Sequence, residues 1–137
     1  MRLYPYQRAG VEFLVSAATA VLADETGPGK GTQVIHALEV VRRQSCGSVL
    51  IVCPNSVKAV WAREFAQWAP WRDVCVVSGS AAKRRKLLAE DHDVFIVNYE
   101  ALRSHSRLAP YGSIRLSEKE KEPGELNRPW LAVVADE

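Results

Sequence analysis

The sequence lacks three features that would each point to a class of protein. It has only three cysteines, Cys46, Cys53 and Cys75, and no C-x-x-C pair, which argues against a disulfide framework or a zinc site. Its net charge is only +2, so no global positive field attracts nucleic acid. No apolar run reaches the roughly 18 residues that span a bilayer, and the N-terminus lacks the apolar stretch of a secretory signal. We therefore expect no membrane partner and a reducing, cytoplasmic environment, with the cysteines acting as small core residues.

What the chain does have is an ordinary globular composition. Hydrophobic residues make up 47% and charged residues 25% of its 137 residues. This length suits one domain and can bury a real core. We therefore expect a single unit over residues 1–137.

Five short apolar runs dominate the pattern. They are continuous and rich in β-branched residues, which is typical of parallel strands covered on both faces. Segments with helical spacing separate them, and basic residues end the segment after the first run. Alternating strands and helices predict an α/β fold with a mainly parallel central sheet. The predicted strands are residues 21–23, 49–53, 74–77, 94–97 and 131–135, and the predicted helices are residues 7–18, 32–43, 56–68 and 81–90.

Two further local predictions follow. In the helix over 56–68, Ser56 is a candidate N-cap, and Trp61, Phe65 and Trp68 share a face that we expect to be core. Residues 104–129 are charged, poor in apolar residues and broken by Pro and Gly. We expect that stretch to be an exposed, mobile insertion between the last two strands.

Polar residues follow every apolar run directly. In an open parallel sheet, ligands bind at the carboxyl ends of the strands. The pattern therefore predicts a functional edge formed by residues 24–25, 54–56, 78–80, 98–100 and 136–137.

A glycine-rich stretch with a lysine follows the first run. A strand, such a loop and then a helix form the usual phosphate-binding arrangement, because glycines let backbone N–H groups approach an anion closely. Lys30 would reach the outer phosphates. The candidate nucleotide-binding residues are Asp24, Glu25, Thr26, Gly27, Pro28, Gly29, Lys30, Gly31 and Thr32.

This loop departs from the strict pattern G-x-x-x-x-G-K-[ST]. Asp24 stands at the first glycine position, and Gly31 stands where a hydroxyl normally holds Mg²⁺. Thr32 comes one residue too late, unless the loop shifts its register. A plain strand-to-helix turn is the alternative interpretation.

An acidic pair ends the chain. Asp136 follows an apolar run and is placed to hold Mg²⁺, and Glu137 could activate a water for attack on a γ-phosphate. Together with Lys30, these two residues are the candidate catalytic group.

With these motifs in view, the chain resembles the first RecA-like lobe of superfamily-two helicases, specifically the Swi/Snf-type DNA translocases. Residues 3–14, LYPYQRAGVEFL, are similar to the family's opening L-x-P-Y-Q-x-x-G-V-x-F-L, and residues 22–30, LADETGPGK, match its motif I, L-A-D-E-M-G-L-G-K. Residues 53–65 resemble motif Ia, C-P-x-S-x-x-x-x-W-x-x-E. Residues 98–102, NYEAL, are similar to T-x-Y-E-x-L, and residues 136–137 resemble the first half of a D-E-A-H box.

The resemblance implies a RecA-like P-loop three-layer sandwich that binds ATP and Mg²⁺ as part of a DNA-dependent ATPase. It implies that Gln7 reads adenine and that Asp24 is no defect. It also implies a second lobe, absent from this chain, and a compartment that contains DNA. The DNA-backbone contacts would come from Pro54, Ser56, Ser78, Gly79, Asn98 and Tyr99.

Gly31 leaves alternatives open, because the family has threonine there. We expect the lobe alone to be inactive, since half of its cleft is missing. A non-catalytic nucleic-acid or protein docking module with a degenerate loop is the second hypothesis. A small P-loop kinase is the third, although it gives no reason for the Pro5-Tyr6-Gln7 element.

Overall fold

The computed structural model describes residues 3–5, 7–9, 30–106 and 124–136, and it shows an α/β fold. Its four strands form one all-parallel sheet in the order β2-β3-β1-β4. The elements are α1 (Lys30–Arg42), β1 (Val49–Cys53), a 3₁₀ turn (Asn55–Val57), α2 (Lys58–Trp68), β2 (Val74–Val76), α3 (Ala81–Ala89), β3 (Val94–Asn98), α4 (Tyr99–His105) and β4 (Ala132–Ala135).

The two central strands confirm the prediction from continuous apolar runs. Every residue of β1 is buried, and so are the first four residues of β3. The prediction of two covered faces is wrong for β4, where burial alternates and Val133 is 58% exposed. Within the described sheet β4 pairs only with β1 and lies at the edge.

Helices cover both faces of the sheet and form a three-layer sandwich. On one face, alternate strand residues such as Ile51 and Ile96 pack with α1 and α2. On the other face, Val52 and Phe95 pack with Leu88 of α3 and with Ala101 of α4. The period-2 geometry of a strand explains this division, because neighbouring side chains point to opposite faces.

Several local expectations need correction. Ser56 does not cap α2, because a 3₁₀ turn comes first and the helix begins without any side-chain cap bond. Helix α4 was not predicted. Cys53 and Cys75 are buried as expected, but Cys46 is exposed.

The stretch 104–129 packs against the body at both ends. His105 and Leu126 are buried, and the Leu126 N–H donates to the His105 carbonyl at 2.8 Å. The predicted exposure therefore fails at these ends, and residues 107–123 lie outside the described part. The predicted strand 21–23 and most of the predicted helix 7–18 also lie outside it. No helix in the described ranges is long and apolar enough to cross a membrane.

Candidate nucleotide and nucleic-acid site

Four polar segments meet at the carboxyl ends of the strands, and we call them the strand-end rim: residues 54–56, 78–80, 98–99 and 136. The parallel register places Cys53 level with Asn98, and the Asp136 N–H donates to the Val52 carbonyl at 2.8 Å. The Val77 N–H bonds to the Ile96 carbonyl, which brings the end of β2 to the same level. The polar segments predicted to share one edge therefore do meet there, as far as the chain is described.

Helix α2 brings the start of α1 and the end of β4 to this edge together. A Cβ on Gly31 would lie 3.6 Å from Glu64 Cδ. One helical turn earlier, the Trp61 indole N–H donates to Asp136 Oδ2 at 2.8 Å. Since residues three apart lie on one helix face, Lys30 and Asp136 flank the same face of α2.

The start of α1 suits an anion. Its first turn contains Lys30 and no acidic residue, and the backbone N–H groups of a first helical turn carry the positive end of the helix dipole. Gly31 lies beside the half-buried Glu64, and Thr32 is buried. The predicted loop residues Asp24, Glu25, Thr26, Gly27, Pro28 and Gly29, and the predicted catalytic Glu137, lie outside the described residues.

Three polar groups of Asp136 are held by hydrogen bonds with described residues. Its N–H bonds to β1, its Oδ2 accepts from Trp61, and its carbonyl accepts from the Tyr99 hydroxyl at 2.6 Å. Hydrogen bonds to a ligating carboxylate are the usual way to orient it toward a metal ion. The Asp136 carboxylate is therefore held in one orientation at the strand-end rim.

The described residues fit a magnesium ion that is bound mainly through a nucleotide. Among them, no three His, Cys, Asp or Glu residues group closely enough to hold a metal alone. Mg²⁺ usually takes one or two protein carboxylates together with substrate phosphates and water. The Asp136 carboxylate meets that requirement, and Glu64 is a second carboxylate beside α1.

Gln7 has a structural contact of its own. It is 7% exposed, and its Oε1 accepts the Tyr4 N–H at 2.9 Å. With Pro5 first in the helical turn, this is the reciprocal contact of a helix N-terminus. No contact within the described ranges joins Gln7 to Lys30 or Asp136.

Two cationic side chains donate hydrogen bonds to the loop that follows β2. Lys58 Nζ donates to the Val77 carbonyl at 3.1 Å, and Arg84 Nη1 donates to the Gly79 carbonyl at 2.8 Å. In a trans peptide the N–H points away from the carbonyl, so the N–H groups of Ser78 and Ser80 point away from these cations. Residues 78–80 are exposed, and Gly79 has a positive φ of 99°.

Burial and local charge shape the groups beneath the rim. Burial raises the pKa of the Cys53 thiol, and the negative charge of Asp136 raises it further. Burial lowers the pKa of Lys58, whose neighbours include Cys53 and Arg84. Cys53 is therefore a neutral core thiol, and Lys58 is a desolvated cation whose one described acceptor is a loop carbonyl.

Lys58, Trp61 and Glu64 were given no role in this site from the sequence, although Trp61 and Glu64 match the W and E of the motif Ia pattern. Trp61 was predicted correctly as core. A signal existed, since a buried indole N–H almost always has a hydrogen-bond partner. Nothing in the sequence marks Lys58 as buried.

Comparison with known proteins agrees with this geometry. The model of the SNF2-related domain matches residues 6–137. The chain is 36% identical over 112 residues to the ISWI chromatin-remodeling complex ATPase ISW1 of Saccharomyces cerevisiae, covering 74% of this chain and 10% of that protein. It is 38% identical over 87 residues to the chromatin remodeling factor mit1 of Schizosaccharomyces pombe, covering 60% and 6%.

A solved structure extends the likeness to the fold. The Sulfolobus solfataricus SWI2/SNF2 ATPase core in complex with dsDNA matches with a TM-score of 0.72 and 25% identity, over 98% of this chain and 26% of that chain. The chain spans a tenth or less of the length of the two curated relatives. With the rim, the three layers and the family match in agreement, the chain belongs to the SNF2-related family and has the RecA-like fold of its ATPase core.

Proposed function

We propose that the chain is the ATP-binding lobe of a DNA-dependent ATPase that translocates on double-stranded DNA. One observation carries this proposal. Through Gly31 beside Glu64 and Trp61 bonded to Asp136, helix α2 gathers a lysine-headed helix N-terminus and an oriented carboxylate at one edge. That pairing is what binding a triphosphate with its metal requires.

Each predicted residue has a place in this mechanism. The start of α1 with Lys30 binds the β- and γ-phosphates, together with the loop 24–29 and the residues Gly31 and Thr32. Asp136 would hold Mg²⁺, which would supply charge neutralisation on the phosphates, and Thr32 has the hydroxyl next to Gly31. Glu137 orients the attacking water. Gln7 contacts adenine through its amide nitrogen, because its oxygen is used by Tyr4.

DNA lies across the strand-end rim and is bound by its phosphates. The outward N–H groups of Ser78 and Ser80 are donors of the kind that bind phosphate oxygens without reading sequence. Pro54, Ser56, Gly79, Asn98 and Tyr99 complete the surface. The solved relative with bound dsDNA supports this choice of partner. A second RecA-like lobe supplies the rest of the cleft, so the isolated lobe binds nucleotide weakly and hydrolyses it negligibly. The protein works in a reducing compartment that contains DNA.

The test is hydrolysis of ATP by the full-length protein, with and without double-stranded DNA. DNA is expected to stimulate hydrolysis, and Lys30→Ala is expected to abolish it while leaving the fold intact. Stimulation that survives Lys30→Ala would contradict the proposal. Arg63→Ala, an exposed change on α2, is the matched control.

The alternative is a non-catalytic docking module, and Gly31 is the observation that favours it. The site has no hydroxyl at this position, whereas a side chain would fit, because its Cβ would make ordinary contact with Glu64 at 3.6 Å. Gly31→Thr in the full-length protein separates the two hypotheses. A gain in hydrolysis indicates an otherwise intact ATPase, and an absence of hydrolysis in both versions indicates the docking module.

A further inference from the structure

Two aromatic residues that differ in exposure donate hydrogen bonds to Asp136. Trp61 is 6% exposed, packs in the core with Phe65, and holds the carboxylate of Asp136 through its indole N–H. Tyr99 is 40% exposed at the strand-end rim, and its hydroxyl holds the carbonyl of the same residue. The hydrogen bond from Trp61 therefore comes from the protein core, and the one from Tyr99 comes from the surface.

The two hydrogen bonds to Asp136 come from different parts of the proposed DNA-binding face. Trp61 lies on α2, which follows the rim segment 54–56, and Tyr99 is the first residue of α4, directly after Asn98 at the end of β3. A ligand that packs on the ring of Tyr99 must restrict or shift its hydroxyl. Because that hydroxyl is bonded to Asp136, the restriction is passed to the backbone of the proposed metal ligand.

We propose that Trp61 and Tyr99 are positioning residues for Asp136, and that the Tyr99–Asp136 hydrogen bond couples DNA binding on the rim to nucleotide–metal binding. Trp61 stays bonded to the carboxylate whether or not DNA is bound, so its indole N–H reports any shift of Asp136. The hydrogen bond from the Tyr99 hydroxyl to Asp136 changes when DNA binds. This inference rests on the proposed function, since it needs both ligands to bind this chain.

Thermodynamic linkage gives the coupling a measurable form. If DNA alters the affinity for Mg·ATP, then Mg·ATP alters the affinity for DNA by the same factor. Tyr99→Phe removes only the hydroxyl and keeps the ring on the DNA face. We expect this variant to reduce the coupling factor to about one, whatever the affinity that remains for each ligand alone.

The experiment follows the indole N–H signals by ¹H–¹⁵N NMR on the 137-residue chain, which has four tryptophans. A DNA duplex is added to the parent and to Tyr99→Phe, and Trp61→Phe assigns the Trp61 signal. In the parent, DNA should shift the Trp61 signal although that residue is buried. In Tyr99→Phe, DNA should bind and leave that signal in place. Trp71, 64% exposed and bonded to Glu39 far from the rim, is the internal control.

A second measurement separates positioning from folding. We expect Trp61→Phe to weaken binding of Mg·ATP by about tenfold or more while binding of metal-free ATP changes little, because an outer hydrogen bond tunes the metal ligand. An equal loss for both forms of ATP would mean a structural role and would overturn the inference. The inference would also be overturned if DNA shifted the Trp61 signal equally in Tyr99→Phe, or if the signal did not shift in the DNA-bound parent. A parent chain that binds neither ligand would overturn the proposed function as well.

Discussion

The two edges of the sheet use polar residues in opposite ways. At the amino-terminal edge, charged groups bind one another. Arg72 makes two 2.8 Å bonds to the Glu39 carboxylate, and the His92 ring bonds to the carboxylates of Asp73 and Glu90. At the strand-end rim, polar side chains instead hold single backbone and carboxylate oxygens, as Lys58, Arg84 and Trp61 do.

This difference shows that a polar cluster by itself does not mark a functional site. The amino-terminal edge also carries surface cavities, one of about 380 Å³ beside Trp68 and Trp71. Its charges nevertheless neutralise one another, which serves stability. At the rim the exposed N–H groups of residues 78–80 and the start of α1 have no such acidic partner among the described bonds. We therefore expect changes at one edge to alter stability and changes at the other to alter binding.

The largest expected effect comes from a change in the core of the sheet, which supports both edges. Phe95 of β3 is fully buried and packs against Trp130 and the guanidinium of Arg128. Phe95→Ala should lower the free energy of unfolding by about 3–5 kcal/mol, measured by urea denaturation. Val133→Ala on the exposed face of β4 is the control and should stay within about 0.5 kcal/mol. A small loss for Phe95→Ala would show that the sheet core does not support the fold as described.

Lys30→Ala should impair nucleotide binding and leave stability unchanged. We expect the affinity for Mg·ATP to fall by at least about tenfold, or ~1.4 kcal/mol, because the one cation at the start of α1 is lost. The unfolding midpoint should not change, since Lys30 is partly exposed. Calorimetric titration and thermal melting of the same samples check both statements. Unchanged affinity would remove Lys30 from the site.

Arg72→Met should show the reverse pattern. The Arg72 and Glu39 side chains are 25% and 19% exposed, so loss of this bidentate pair should lower the free energy of unfolding by about 1 kcal/mol. Binding of nucleotide and DNA should not change. Arg63→Met, an exposed arginine on α2, is the matched control. A binding defect in Arg72→Met would contradict the division between the edges.

The smallest effect is a pH dependence at the amino-terminal edge. Burial alone would lower the pKa of His92, but its hydrogen bonds to Asp73 and Glu90 outweigh this and raise it above 6.5. The stabilisation from the charged imidazole is therefore present below the unfolded value and is lost as pH rises through the folded pKa. His92→Gln should flatten the fall in unfolding free energy between about pH 6 and about pH 8. An equally steep fall in the variant would contradict this.

The sequence alone predicted the central strands and the edge at which the polar segments meet. Continuous apolar runs identify β1 and β3, because only strands buried on both faces need apolar residues at every position. The exposed face of β4 could not be predicted, since its run looks like the others and its place at the edge of the described sheet depends on the order of the strands. Helix α4 was hidden because its seven residues are too few for a helical period to stand out.

The site was predictable as a set of strand ends but not as a network. Trp61 and Asp136 are 75 positions apart, and their hydrogen bond exists only because α2 crosses the face that carries β4. The buried Lys58 likewise depends on the position of Val77 nineteen positions later. Local patterns report periodicity and turn chemistry, whereas these contacts depend on how the elements pack.

The most direct test of the central claim is a ¹H–¹⁵N NMR titration of the chain with Mg·ATP, which also detects weak binding. The account predicts that the shifted signals group at the backbone of Lys30, Gly31 and Asp136 and at the Trp61 indole, while those of Cys46 and Asp93 at the opposite edge stay in place. Shifts confined to the amino-terminal edge, or shifts at Lys30 without any at Asp136 and Trp61, would contradict it.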